Sequence, residues 1–293
     1  MHIRFAVVDV DDVLLTTEGA SQLAEQAILA PLVQHLGQPH ATAVQREFTR
    51  AIHLLTQQLR SHAATPSDAY HALRNRIGWW QRGLTDAGFE VKEWSRHTLV
   101  ACALEACGLP VTTTVVHAVA DHYWATVAQH ATVFPDATAL LQQLRTAGVA
   151  VHLATGSDGF LTFNDECQTF TYAPEAAVRR KLARLHGLTA LGFGPGNISI
   201  GDPIGKPHLD FFRTVLQHFS DAIGQDVELA RTVAIGDSLT NDICPLLDLG
   251  AACGVWLLRE RSAFGDQQRW HHPQVTVVHT LDAEEVQQLF FIA

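Results

Sequence analysis

The 293-residue sequence is short of the residues that mark special cases. Its five cysteines (Cys102, Cys107, Cys167, Cys244 and Cys253) form no C-x-x-C pair, and an odd count leaves one over in any disulfide scheme. They read as reduced thiols, mostly core filler, in a cytoplasmic protein. Basic residues are scarce as well: 20 Lys and Arg face 30 Asp and Glu, for a formal net charge of −10. No basic stripe exists to neutralise a phosphate backbone, which argues against a nucleic-acid partner. No apolar run approaches the roughly 18 residues that a membrane span needs. The start, Met1-His2-Ile3-Arg4, lacks the apolar region and small-residue cleavage site of a signal peptide. Neither internal repeats nor low-complexity tracts are present. What remains, 47% hydrophobic and 17% charged, is the composition of a globular chain with ample surface to bury.

Two textures alternate along the chain. Residues 3–9 form a short, β-branched, apolar run ended by acidic residues, which predicts a buried strand. From about Glu18 to Gln129 the pattern is helical, with breaks near Gly37-Gln38-Pro39, Ala64-Thr65-Pro66, Gly88 and Gly108-Leu109-Pro110. Four or five helices are expected there. After Phe134-Pro135-Asp136 strands and helices alternate. Strands are expected at Val149–Ala154, Ile198–Ile200, Thr232–Ile235 and Cys253–Leu258, separated by helices. That alternation predicts an α/β fold, a doubly wound parallel sheet with helices on both faces. The first strand is parted from its sheet-mates by an all-helical insertion. The expected division is a catalytic core of residues 1–17 and 133–293 and a helical cap domain of 18–132. An insertion leaving the carboxyl end of a strand would hang over the ligand site as a lid.

Four features stand at predicted strand ends. Asp9-Val10-Asp11-Asp12 offers a carboxylate pair, Asp9 and Asp11, suited to a hard divalent cation or to nucleophile and acid/base work. An acidic loop that merely solubilises the strand end would look the same. Thr155-Gly156 can present a hydroxyl and approachable amides to an anion, although Thr-Gly-Ser is ordinary loop composition. Lys206, one of three lysines with Lys92 and Lys181, stands just before a helix in Gly205-Lys206-Pro207. Its ammonium could stabilise a transferring phosphoryl group or simply face solvent. Finally, Ile235-Gly236-Asp237 breaks a buried strand, and Asp242 follows five residues later. Asp237 would complete a metal site. Asp242 could hold a metal water, orient the lysine, or only cap a helix.

In order and placement these four features resemble the haloacid dehalogenase (HAD) superfamily of hydrolases: D-x-D-x-V, a strand-end threonine, Lys-Pro before a helix, and G-D-S-x-x-N-D. The resemblance covers the core segments, including the Phe134-Pro135-Asp136…Leu140…Leu144…Gly148 lead-in and Gly250 through Arg259. It implies an Mg²⁺-dependent phosphatase with a C1-type helical cap. Asp9 would be the nucleophile that forms an aspartyl-phosphate, and Asp11 the general acid and base. Thr155, Gly156 and Lys206 would bind phosphate. Asp9, Asp237 and the Asp11 carbonyl would coordinate Mg²⁺, with Asp242 behind them. The substrate would be a small phosphorylated metabolite.

Asp11 favours phosphate esters over carbon–halogen bonds, because an alkoxide leaving group needs a proton and a halide does not. Val13 stands where threonine is commoner in the family, which keeps open a sugar-phosphate mutase of the β-phosphoglucomutase type. A non-catalytic binding protein of the same fold would lack one of the key residues, and all are present. In the insertion, Arg74, Arg76, Trp79, Trp80 and Arg82 fall on one predicted helix and are candidates to face substrate, with at least one of the adjacent tryptophans packing inside. The 17 histidines show no metal-ligand spacing beyond chance, so zinc is not suggested. His152 reads as a packed strand residue.

Overall fold

The computed structural model describes residues 2–60, 65–157, 159–259 and 272–291. Strand β1 (Phe5–Val8) is followed by helices α1 (Thr17–Ala27), α2 (Leu29–Leu36), α3 (Gln38–Arg60) and α4 (Asp68–Trp80). Then come α5 (Arg82–Asp86), α6 (Arg96–Ala106), α7 (Thr113–His130), α8 (Pro135–Thr146) and β2 (Ala150–Gly156). A hairpin, β3 (Leu161–Asn164) and β4 (Thr169–Tyr172), leads to α9 (Pro174–Arg184) and α10 (His186–Thr189). The chain continues through β5 (Ile198–Gly201), α11 (Leu209–Ile223), β6 (Thr232–Gly236) and α12 (Cys244–Asp248). It ends with β7 (Cys253–Leu257), β8 (Val275–Val278) and α13 (Glu284–Phe291).

The chain divides into two compact units. One comprises Met1–Glu18, Ala131–Gly156 and Leu185–Ala293; the other comprises Gly19–His130 and Ser157–Arg184. The first unit carries a six-stranded sheet in the order β5-β2-β1-β6-β7-β8, parallel throughout. Phe-Ala-Val-Val in β1 is buried at every position, as befits a strand covered on both faces. On one face Phe5, Val7, Ala234 and Trp256 pack against Phe211, Phe212, Val215 and Phe219 of α11. Phe5 meets Phe219 edge-on, with ring centroids 5.9 Å apart. His152 is a packed strand residue, as expected: it is buried, stacked near Phe219, and hydrogen-bonded through Nε2 to Ser199 Oγ at 2.9 Å. Strand β8 and helix α13 extend the unit beyond the last strand expected from the sequence.

The second unit holds most of α1, then α2–α7, and also the β3–β4 hairpin and α9. The sequence assigns residues 157–184 to the core, whereas their contacts group them with the helices. The physical reason is local: Phe163 of β3 meets Trp80 at 5.8 Å between ring centroids, and Thr169 of β4 donates to the Trp80 carbonyl. Among the described residues, seven helices stand in place of four or five. Two of the breaks fall on Ile28 and Gln81, with Pro31 in the turn after the first and Gly78 and Gly83 on either side of the second. The Gln81 side chain donates to the Lys92 carbonyl and the Thr98 hydroxyl, and accepts from the Lys92 N–H. The break near Ala64 lies partly outside the described residues.

The arginine–tryptophan cluster is divided by that turn, with Arg82 in α5 rather than α4. Trp80 is buried and donates to Glu105, while Trp79 is 51% exposed. Arg74 pairs with Glu93, Arg76 with Glu105, and Arg82 donates to the carbonyls of Trp79, Cys167 and Gln168. These contacts account for the three guanidinium groups without a ligand. All five cysteines are unpaired; Cys102 and Cys253 are buried, but Cys167 is exposed and fills no core. His97, on α6, is fully buried, and burial together with nearby His117 and Arg180 holds its imidazole well below the usual pKa.

Candidate active site

The candidate residues gather at the carboxyl ends of the first unit's strands. Register puts Val8 beside Leu153 and Ile235, so Asp9, the end of β2 and the end of β6 lie side by side. The Asp9 N–H donates to the Ile235 carbonyl at 2.9 Å, which fixes where the carboxylate leaves the sheet. At the end of β6, a Cβ on Gly236 would stand 2.3 Å from Cβ of Asp242. Only glycine admits that approach, and it lets Asp242 fold back onto the strand end. A π-helical turn, Leu239–Ile243, makes the return. Ser238 caps it, accepting from the Asn241 N–H, while its own N–H donates to Oδ2 of Asp242 at 2.9 Å. The Asp237 carbonyl accepts from the Trp256 indole at 2.9 Å.

Lys206 joins the two halves of the site. Its ammonium donates to Oδ1 of Asp9 at 2.5 Å and to Oδ1 of Asp242 at 2.6 Å. The three side chains are only 11%, 8% and 6% exposed, so water screens the charges little. Asp11 accepts from the Thr17 hydroxyl at 2.9 Å through Oδ1 and from the Thr155 hydroxyl at 3.1 Å through Oδ2. Thr155 therefore donates its hydroxyl hydrogen bond to Asp11, a contact the sequence did not suggest. A Cβ on Gly156 would meet nothing within 4 Å, so that strand end is open.

A set of supports was missed from the sequence. Asp12 adopts a left-handed φ of 56° and accepts from the Glu18 N–H at 2.8 Å. Arg259 donates to the carbonyls of Asp12 and Val13 and makes two 3.0 Å bonds to Asp136, its guanidinium lying 3.7 Å from the centroid of the Phe134 ring. Phe134-Pro135-Asp136 and Arg259 were the legible signal, as parts of the family-like pattern, but nothing in their spacing showed that they clamp the loop after β1.

The electrostatics are one-sided. Burial pushes the Asp9 carboxyl up to about 7; Asp242 and Asp11 add to the rise, and Lys206 opposes it. Burial, Asp242, Asp9 and Asp12 hold Asp237 well above the ordinary carboxylate range. Burial works against the Lys206 charge, but Asp242 and Asp9 outweigh it and keep the lysine protonated. One ammonium is too little charge for all of these carboxylates to ionise together, and a further cation would let them do so. Asp9, Asp237 and Asp242 can each bring an oxygen within 4.8 Å of the others. An all-oxygen, carboxylate-rich set suits a hard divalent cation such as Mg²⁺. Both oxygens of Asp242 are already engaged, by Lys206 and by Ser238, which favours Asp9 and Asp237 as the direct ligands.

No described helix is long and apolar enough to cross a membrane. A family model described as haloacid dehalogenase-like hydrolase matches residues 3–250. No curated protein matches the sequence. Solved structures with the same fold include the HAD-hydrolase YfnB from Bacillus subtilis, bound to magnesium, at 16% identity and TM-score 0.54 over 100% of both chains. A HAD phosphatase from Thermococcus onnurineus is 16% identical with TM-score 0.51, over 98% of this chain and 97% of that one. L-2-haloacid dehalogenase from Xanthobacter autotrophicus is 13% identical with TM-score 0.53, over 99% and 100%. At such identities the likeness speaks for the fold, which phosphatases and dehalogenases share. With the family match spanning most of its length, the chain belongs to the haloacid dehalogenase-like hydrolases.

Proposed function

We propose that this hydrolase is a Mg²⁺-dependent phosphatase that cleaves a small-molecule phosphate monoester through an aspartyl-phosphate on Asp9. The observation that carries the reading is the convergence of Asp9, Asp237 and Asp242 around a single buried ammonium, Lys206. With its carboxylates ionised, that arrangement would carry more negative charge than one ammonium offsets, and a cation would stabilise the ionised form. Asp9 and Asp237, with the Asp11 carbonyl, would hold Mg²⁺, whose charge offsets the repulsion between a carboxylate nucleophile and a phosphate.

In this reading an oxygen of Asp9 attacks phosphorus in line with the leaving alkoxide. Asp11 protonates that alkoxide as the ester bond breaks, then takes a proton from the water that hydrolyses the acyl phosphate. Thr17 and Thr155 orient Asp11 through its two oxygens. Lys206 supplies a fixed positive charge beside the nucleophile and, with the Gly156 amide, binds the transferring oxygens, and the single Thr155 hydroxyl hydrogen would turn from Asp11 to a phosphoryl oxygen as substrate arrives. Asp242 holds Lys206 in place. Asp11 sets this reading apart from dehalogenation, in which no leaving-group proton is required.

The test is phosphate release from an aryl phosphate and a panel of phosphorylated metabolites, with Mg²⁺ or with EDTA. Release that needs Mg²⁺ and disappears in Asp9→Asn is expected. Wild-type protein that releases no phosphate from the panel with Mg²⁺ present, but frees halide from a 2-haloacid, would overturn the proposal.

A further inference from the structure

The second unit contains a group of side chains that the phosphatase reading does not use. On α7, His117 and Asp121 are four residues apart and so share one helix face. On the neighbouring α6, His97 faces them, with its ring centroid 5.0 Å from that of His117. One ligating atom from each of His97, His117 and Asp121 lies within 4.8 Å of the others. His97 is 0% exposed, and neither of its ring nitrogens has a hydrogen-bond partner among the described residues. Leaving such a group unsatisfied in a protein interior costs about 1–3 kcal/mol. A water or a cation there would satisfy a ring nitrogen.

The surroundings fit a cation. Arg180 pairs with Oδ1 of Asp121, which leaves the other carboxylate oxygen for a ligand and fixes the group's orientation. The Arg180 guanidinium lies 4.2 Å from the centroid of the Phe160 ring, and the His97 ring meets Phe160 at 4.5 Å, so an aromatic wall closes one side. His117 Nε2 accepts a long 3.3 Å bond from the Phe163 N–H, an interaction that a metal would displace. Two imidazoles and one carboxylate make a three-ligand set, the donor chemistry of zinc-class dications rather than of Mg²⁺.

We propose that His97, His117 and Asp121 bind a zinc-class dication in the helical unit, where it ties α6 to α7. The site is distinct from the carboxylate cluster in residues and in ligand chemistry.

The full chain, stripped with a chelator and exchanged into excess Mg²⁺, would be titrated with Zn²⁺ by calorimetry and with Co²⁺ by visible absorption. One Zn²⁺ per chain is expected in the wild type and equally in Asp237→Asn. Affinity should fall at least about tenfold in His117→Ala and in Asp121→Asn, with loss of the tetrahedral Co²⁺ bands. If His117→Ala does not fold, Asp121→Asn decides, since that side chain is 44% exposed. Absence of Zn²⁺ uptake, an affinity unchanged in both cap variants, or uptake lost only in Asp237→Asn would each overturn the proposal. The last outcome would place the ion at the carboxylate cluster.

Discussion

The ammonium of Lys206 sits 2.5 Å from Oδ1 of Asp9, the carboxylate assigned to attack phosphorus. A carboxylate so close to a fixed cation is held on one rotamer and kept partly neutralised.

Lys206→Met should therefore lose phosphatase activity by a factor of about a hundred or more, the range seen when one fixed charge or donor leaves a transition state. It also leaves Asp9 facing Asp242 with nothing between them, so urea stability should fall by about 3 kcal/mol at neutral pH. Steady-state phosphate release and urea melts measure the two effects. A variant with the wild-type rate would refute the role of Lys206.

Gly236→Ala tests the close approach at the end of β6. The added methyl has to displace Asp242, whose Cβ lies 2.3 Å from the new atom. Overpacking of this kind costs about 1–3 kcal/mol, and the shift would break the Asp242–Lys206 contact. We expect both a lower melting midpoint and a rate loss, whereas Gly156→Ala, in open space, should leave the midpoint near wild type.

His152 predicts a pH dependence. Burial, with His218 nearby, lowers its pKa from 6.5 to about 4. The folded state keeps the ring neutral, so its contribution is fully present above pH 6.5 and is lost as pH falls towards 4, where only the unfolded chain takes up the proton. The loss across that window amounts to about 3 kcal/mol. Unfolding free energies from urea melts at a series of pH values should show this slope, and His152→Leu should flatten it.

Asp136 behaves in the same direction for a different reason. Burial alone would raise its pKa, but hydrogen bonds from Arg259, the Leu281 N–H and Thr280 outweigh burial and lower it. Its stabilisation is present above the unfolded value of 3.8 and lost as pH falls through the lower folded value. Asp136→Ala strands Arg259 against the Asp12 and Val13 carbonyls and should cost about 3 kcal/mol at neutral pH. Arg259→Met should reduce the rate as well, because the loop bearing Asp11 loses its anchor.

The strands that bear the candidate site were legible because each is an apolar run that stops on a polar residue of definite chemistry. Asp9, Thr155 and Asp237 all announce themselves this way, and the structure places them side by side. The hydrogen bond from Thr155 to Asp11 was not legible, since 144 residues separate the two and only the sheet brings them together. The β3–β4 hairpin carried a period-2 signal, with Leu161 and Phe163 buried and Thr162 and Asn164 exposed. Four residues of alternation were too few to stand out beside a helical insertion. His117 and Asp121 show ligand spacing on α7, but their third member comes from α6, and no pattern within one helix reveals it. The exposure of Cys167 was likewise decided by packing rather than by composition.

The helical unit is discontinuous, closed by the hairpin and α9 only after the chain has returned through β2. During synthesis, residues 19–130 emerge long before Phe163 and Thr169, the partners of Trp80. That unit therefore completes its packing late, after two strands of the parallel sheet have been made. A fragment cut at residue 130 would present an unsheathed aromatic surface, so expression of the insertion by itself should yield aggregation where the full chain stays dispersed.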